Sequence, residues 1–179
     1  PGPGETYSWT FGAGASPATS TAQNPTGISW STPGTKTVTL TVTQNGCVST
    51  DTDNVVVNPL PTVTLTLGDD DACADEGPIT LTGGSPAGGS YSGPGVSGGS
   101  FDPAAVGVGT YTITYTFTDG NGCTNTATDD ITVDPLPSVS LTLTTDEACD
   151  DDGPITLTGG SPAGGTYSGT GVTGGSFVP

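Results

Sequence analysis

Gly109-Thr110-Tyr111-Thr112-Ile113-Thr114-Tyr115-Thr116-Phe117 alternates bulky apolar or aromatic side chains with threonine. On an extended chain, residues two apart share a face. The stretch therefore predicts a half-buried strand with Tyr111, Ile113, Tyr115 and Phe117 turned to a core. Threonine suits the outer face, because a branched β-carbon fits the pleated surface. The same alternation appears at Val38, Leu40 and Val42, at Val63, Leu65 and Leu67, and at Val139, Leu141 and Leu143. No stretch has a helical period, and Gly/Pro clusters punctuate the chain roughly every ten residues. The prediction is an all-β sandwich.

Residues 60–103 return almost letter for letter at 136–179, 76 positions later. Near-identity at a fixed period is the mark of tandem modules. The downstream half recurs too: Gly34-Thr35-Lys36-Thr37-Val38-Thr39-Leu40-Thr41-Val42 parallels residues 109–117. Turns at Asn45-Gly46-Cys47 and Asn121-Gly122-Cys123 follow, then a second strand, then Pro-Leu-Pro. Pro59-Leu60-Pro61 and Pro135-Leu136-Pro137 read as short, stiff connectors. The chain divides into a module over 1–58 lacking its first strands, a complete repeat over 60–135, and the front half of the next repeat over 136–179. The expectation is a window on a longer array.

Hydrophobic residues make up 31% of the chain, with 30 glycines and 16 prolines, a composition that leans toward disorder. The period-2 pattern outweighs it. Eighteen carboxylates face one basic residue, Lys36, which excludes nucleic-acid binding, since phosphate needs Lys and Arg. A basic anchor for anionic lipid is missing as well. No run approaches the roughly 20 apolar residues of a membrane span. A module of this size buries only about 60% of its unfolded surface, so help from disulfides or neighbours is expected.

Residues 7–43 carry Tyr7-Ser8-Trp9-Thr10-Phe11-Gly12-Ala13-Gly14, then Asn24-Pro25, then Pro33-Gly34 and the alternating strand. This resembles the PKD domain, with Thr10 and Ala13 replacing the family's usual acids and Lys36 standing where an aromatic is common. Trp9 and Phe11, two apart, are expected as core anchors. Trp30 and Tyr91 are the candidates for glycan contact, with core packing as the competing role. The 76-residue modules resemble the tandem immunoglobulin-like repeats of large secreted bacterial surface adhesins, including gliding-motility adhesins. The residues carrying this likeness are Cys73, Gly77-Pro78-Ile79, Gly83-Gly84, Tyr91, Gly109-Thr110-Tyr111 and Asn121-Gly122-Cys123. The resemblance implies an extracellular or cell-surface setting and a structural role.

Cys47, Cys73, Cys123 and Cys149 form an even, periodic set, which reads as disulfides in an oxidising compartment. Zinc is disfavoured by the lack of His and of close Cys pairs. Three pairings stand. An intermodule bridge joins the A–B loop of one module to the F–G turn of the next. An intradomain Cys73–Cys123 bridge needs loop 68–77 to fold back along the sandwich. A third arrangement makes Pro-Leu-Pro a hairpin tip, setting Cys47 opposite Cys73 and Cys123 opposite Cys149. The order of preference is intermodule, intradomain, hairpin.

Asp69, Asp70, Asp71, Asp75 and Glu76 recur as Asp146, Glu147, Asp150, Asp151 and Asp152 in the A–B loop. With Asp119 from a neighbouring turn they could hold Ca2+, a hard cation taking six to eight oxygens. The competing reading is a solvated acidic loop. Paired carboxylates also serve glycoside hydrolysis, but these lie in a loop without an aromatic cleft. Nucleophilic catalysis lacks a histidine. The Gly-rich stretches at 85–89 and 96–99 follow strands without opening helices, so they read as turns with positive φ rather than phosphate cradles. The function that this pattern predicts is a non-enzymatic structural segment of an extracellular fibre or adhesin stalk. Its partners would be neighbouring modules or identical chains. The alternatives are a polysaccharide-binding accessory module and a component of an S-layer or sheath lattice.

Overall fold

A computed structural model describes residues 4–179. The first segment contains β1 (Glu5–Thr10), β2 (Ala15–Ser16), β3 (Thr19–Ser20), β4 (Ser29–Trp30), β5 (Gly34–Gln44) and β6 (Cys47–Val57). The second contains β7 (Thr64–Leu65), β8 (Asp71–Cys73), β9 (Ile79–Thr80), β10 (Gly84–Ser85), β11 (Ser90–Ser92), β12 (Val96–Ser97) and β13 (Ser100–Phe101). A one-turn helix α1 (Pro103–Val106), β14 (Gly109–Thr118) and β15 (Thr124–Asp134) complete it. The third contains β16 (Ser140–Leu141), β17 (Ile155–Thr156), β18 (Gly160–Ser161), β19 (Val172–Thr173) and β20 (Ser176–Phe177). Every sheet closes within 1–58, 60–135 or 136–179.

The second segment is a two-layer sandwich. One layer has the order β11-β14-β15-β8, and strands β10-β7 and β12-β13-β9 face it. The long β14–β15 hairpin is the spine, with Tyr111 paired to Ile131 and Tyr115 to Ala127. The alternation places Ile113, Tyr115, Ile131 and Val133 inward with Leu65, Leu67, Leu81 and Phe101. Burying side chains of this kind contributes about 1.5–3 kcal/mol each.

Strand β7 is shorter than its alternation predicts. The N–H of Thr66 turns to the carbonyl of Gly83 at 3.3 Å, and that of Leu67 donates to Asp129 Oδ2 at 2.9 Å. A carboxylate projecting inward from β15 therefore completes what the ladder leaves open. Helix α1 departs from the expectation of no helix. Asp102 caps it, accepting from Ala104 N–H at 3.1 Å, and Pro103 opens its first turn. An Asp-Pro pair is the ordinary start signal of a helix.

The two flanking segments reuse this plan in part. In the first, β1 lies on β5 as β11 lies on β14, with Trp9 opposite Leu40 and Tyr91 opposite Tyr115. Phe11 is buried, and its ring stacks on the half-buried Trp9 at 6.2 Å. Lys36 is buried at the station where an aromatic is usual. In the third segment, Leu141 and Leu143 are 58% and 40% exposed, whereas their counterparts Leu65 and Leu67 are 9% and 8% exposed. The hairpin β14–β15 covers the latter pair.

Candidate functional site: the module ends and the inward aromatics

The cysteines and acids gather where strands begin and end. Cys73 closes β8, which runs parallel to β15 and pairs with Asp134. Cys123 precedes β15 at its opposite end. Eleven residues separate Cys123 from Asp134, about 36 Å at ~3.3 Å per residue. Bridged Cα atoms sit about 5.5 Å apart, so this fold does not allow a direct Cys73–Cys123 bond. The hairpin arrangement also fails, because β6 pairs with β5 while β7 pairs with β10, leaving Pro59-Leu60-Pro61 outside any hairpin. All four cysteines are unbridged thiols here, Cys123 half-buried and the others exposed.

Several of the acids are engaged as turn caps. Glu76 Oε2 accepts from Cys73 N–H at 3.2 Å, and Asp152 Oδ2 accepts from Cys149 N–H at 2.8 Å. The same carboxylate thus closes the same turn in both repeats. Asp119 Oδ1 accepts from Asn121 and Cys123 N–H, both at 2.9 Å, and so shapes the β14–β15 turn. Asp69, Asp70, Asp71, Asp75, Asp146, Asp150 and Asp151 are exposed. Among the described residues, no three His, Cys, Asp or Glu side chains come together in a group that could hold a metal ion.

Both candidate glycan contacts are half-buried and hydrogen-bonded to backbone. Trp30 is half-buried, and its indole N–H donates to the Phe11 carbonyl at 2.8 Å. The Tyr91 hydroxyl accepts from Gly84 N–H at 2.9 Å, and its ring tilts against Tyr115 at 4.8 Å. Tyr115 in turn accepts from Gly89 N–H at 2.7 Å and donates to the Pro86 carbonyl at 2.6 Å. Gly84 and Gly89 are small for a reason other than positive φ. A Cβ on either would lie 2.5 Å from the Tyr115 ring. At the edge of the first sheet, Tyr7 donates to Glu5 at 2.9 Å. That hydrogen bond, aided by desolvation and the Glu5 charge, raises the phenol above its ordinary pKa.

Four structural residues escape a reading by periodicity: Glu76 and its counterpart Asp152, Asp129, and Tyr111 through its hydroxyl. The Tyr111 hydroxyl donates to the carbonyls of Val106 at 2.8 Å and Gly107 at 3.2 Å. A tyrosine near the start of the penultimate strand, bonded a few residues upstream, is the tyrosine corner of immunoglobulin-like sandwiches. Its position in Gly109-Thr110-Tyr111 was the available signal.

Among the described residues, no helix is long and apolar enough to cross a membrane. The family model of the PKD domain matches residues 2–57. That of the bacterial Ig domain matches 44–132, overlapping the first across the β5–β6 turn and β6. No curated protein matches the chain. Both families are structural modules typical of extracellular or surface proteins. The chain is therefore a PKD domain followed in tandem by bacterial Ig-like repeats.

Proposed function

We propose that these modules form a structural segment of an extended extracellular fibre or cell-surface adhesin stalk. One observation carries the reading: what the repeat copies is architecture. Tyr91 and Tyr167 each take a glycine N–H, from Gly84 and Gly160. Glu76 and Asp152 each cap a cysteine turn. Leu81 and Leu157 each donate backbone N–H to a glycine carbonyl, Gly99 and Gly175. Copied side chains are spent on turns, register and core, and the copied acids at the module ends stay in solvent. Such a repeat contributes reach and stiffness. The mechanism is mechanical: short Pro-Leu-Pro joints, and disulfides between modules, keep successive sandwiches in line and project whatever lies beyond them.

Electron microscopy of native material tests this. Thin stalks or filaments are the expected image. A two-dimensional sheet would replace the stalk with an S-layer or sheath lattice, and retention on a polysaccharide column would favour a glycan-binding accessory module.

A further inference from the structure

Two Asn-Gly pairs turn the long hairpins, Asn45-Gly46 between β5 and β6 and Asn121-Gly122 between β14 and β15. Such a pair is open to an uncatalysed reaction, attack of the glycine nitrogen on the asparagine side-chain amide. Glycine has no Cβ to obstruct the ring that forms. Both turns are exposed, so access to water does not separate them. Their hydrogen bonds do. In the second turn, Gly122 N–H donates to the Asp119 carbonyl at 3.1 Å. Asn121 and Cys123 N–H donate to Asp119 Oδ1 at 2.9 Å each. The attacking nitrogen is therefore held, and the neighbouring carboxylate opposes loss of its proton.

The first turn is built differently. Gln44 pairs directly with Cys47, leaving a two-residue loop with φ 51° at Asn45 and 83° at Gly46. Positive φ at both central residues is the type I′ turn. Among the described residues, neither Gly46 N–H nor the Asn45 side chain has a hydrogen-bond partner. Nothing lies within 4 Å of a Cβ built on Gly46. Asn45 is also the one non-glycine at positive φ among the described residues. Opening this tip disturbs only the terminal pair of the ladder and frees Asn45 from left-handed backbone.

We infer that Asn45 is a site of spontaneous modification to aspartate and isoaspartate, and that the fold protects Asn121 from the same reaction. Gly46 N–H gives its proton to solvent base, and the nitrogen attacks Asn45 Cγ. The N–Cγ bond forms, the Cγ–Nδ2 bond breaks, and ammonia leaves with a proton from water. Water then opens the five-membered succinimide at one of its two carbonyls. Cleavage at Cγ gives aspartate; cleavage at the main-chain carbonyl carbon gives isoaspartate. The net change is hydrolysis of one side-chain amide, with no oxidant or reductant. Either product adds one negative charge to a chain of net charge −17. Isoaspartate also routes the main chain through Cβ and Cγ, lengthening a turn that two residues fill. The β5–β6 tip then loosens beside Cys47, whatever the modules assemble into.

Peptide mapping of the full chain after long incubation in warm, mildly alkaline buffer tests this, using fragmentation that distinguishes isoaspartate from aspartate. The urea-unfolded chain is the reference, since neither turn exists there and the two pairs convert at similar rates. In the folded chain, Asn121 is expected to convert at least about tenfold more slowly than Asn45, because three hydrogen bonds must open first. Asn45→Gly keeps a turn that tolerates positive φ and is expected to remove the early acidic species on anion exchange. Asp119→Ala removes two of the three bonds and is expected to speed Asn121 several-fold without changing Asn45. Hydrogen exchange at Ile113 and Ile131 verifies that this variant is folded. Equal rates at the two sites in the folded chain overturn the inference. So does faster conversion at Asn121, or an Asn45 that stays intact while the unfolded chain reacts.

Discussion

Lys36 holds in the first segment the station that Tyr111 holds in the second, and each ties its tip to the loop entering its own strand. Tyr111 donates to the carbonyls of Val106 and Gly107. The Lys36 ammonium donates to Thr32 Oγ1 at 2.9 Å and the Pro33 carbonyl at 3.4 Å. The lysine stem supplies the buried apolar length, and the charged tip supplies the donor. Lys36→Ala is expected to destabilise the first segment by about 1.5–3 kcal/mol, the scale of hydrogen bonds from a charged group. Both tryptophans lie in that segment, so urea unfolding followed by tryptophan fluorescence isolates it. An unchanged midpoint would show the lysine to be incidental.

Tyr111→Phe keeps the ring and removes the hydroxyl. A loss of about 1 kcal/mol is expected from the second segment. Hydrogen exchange across β14 and β15 reads it, with faster opening at Ile113 and Ile131. Equal protection in both proteins would deny the corner a role in stability.

The repeat contains its own control for the glycine contacts. Gly84→Ala sets a methyl 2.5 Å from the Tyr115 ring, while Gly160→Ala meets the movable Tyr167 hydroxyl at 2.9 Å. Overpacking of the first kind costs about 1–3 kcal/mol. Gly84→Ala is thus expected to lower the melting temperature of the second segment, and Gly160→Ala to do far less in the third. Equal effects would mean that the Tyr115 contact is not what keeps position 84 small.

Period-2 alternation made the core legible in advance, because one side of each strand is buried and the other wet. Alternation puts Tyr115 and Ile113 on one face of their strand and Leu65 and Leu67 on one face of theirs, and all four are buried. The long hairpins β5–β6 and β14–β15 were legible for the same reason. What alternation cannot carry is a side chain that bonds backbone from a distance. Asp129 and Leu67 are 62 residues apart, and nothing in the local pattern marks an inward acid as a partner for a ladder N–H. Glu76 and Asp152 lie in runs of like residues, so nothing in the local sequence separates a turn cap from a cation ligand. Trp30 was ambiguous because β4 is two residues long, too short to show a face.

The distance along β15 sets an expectation for oxidised native material. Peptide mapping without reductant should yield no Cys73–Cys123 pair. Cys73 should be linked to a cysteine in the F–G turn of an adjoining module or chain, stiffening the joint at Pro135-Leu136-Pro137. A recovered Cys73–Cys123 peptide would require β8 to leave β15 and would overturn the sheet order.

Calcium gives the last separation of roles. Glu76, Asp152 and Asp119 already accept backbone N–H groups, and a cation drawing on them would compete with the turns they close. Calcium is therefore expected to leave the melting temperature unchanged beyond what equal ionic strength gives, since screening alone relieves repulsion among exposed acids. Glu76→Ala should destabilise the second segment with or without calcium, by about 1 kcal/mol for the lost cap. Differential scanning calorimetry of wild type and variant, in calcium and in chelator at matched ionic strength, reads both effects. A calcium-dependent rise in wild type that vanishes in Glu76→Ala would reassign this carboxylate from turn cap to ligand.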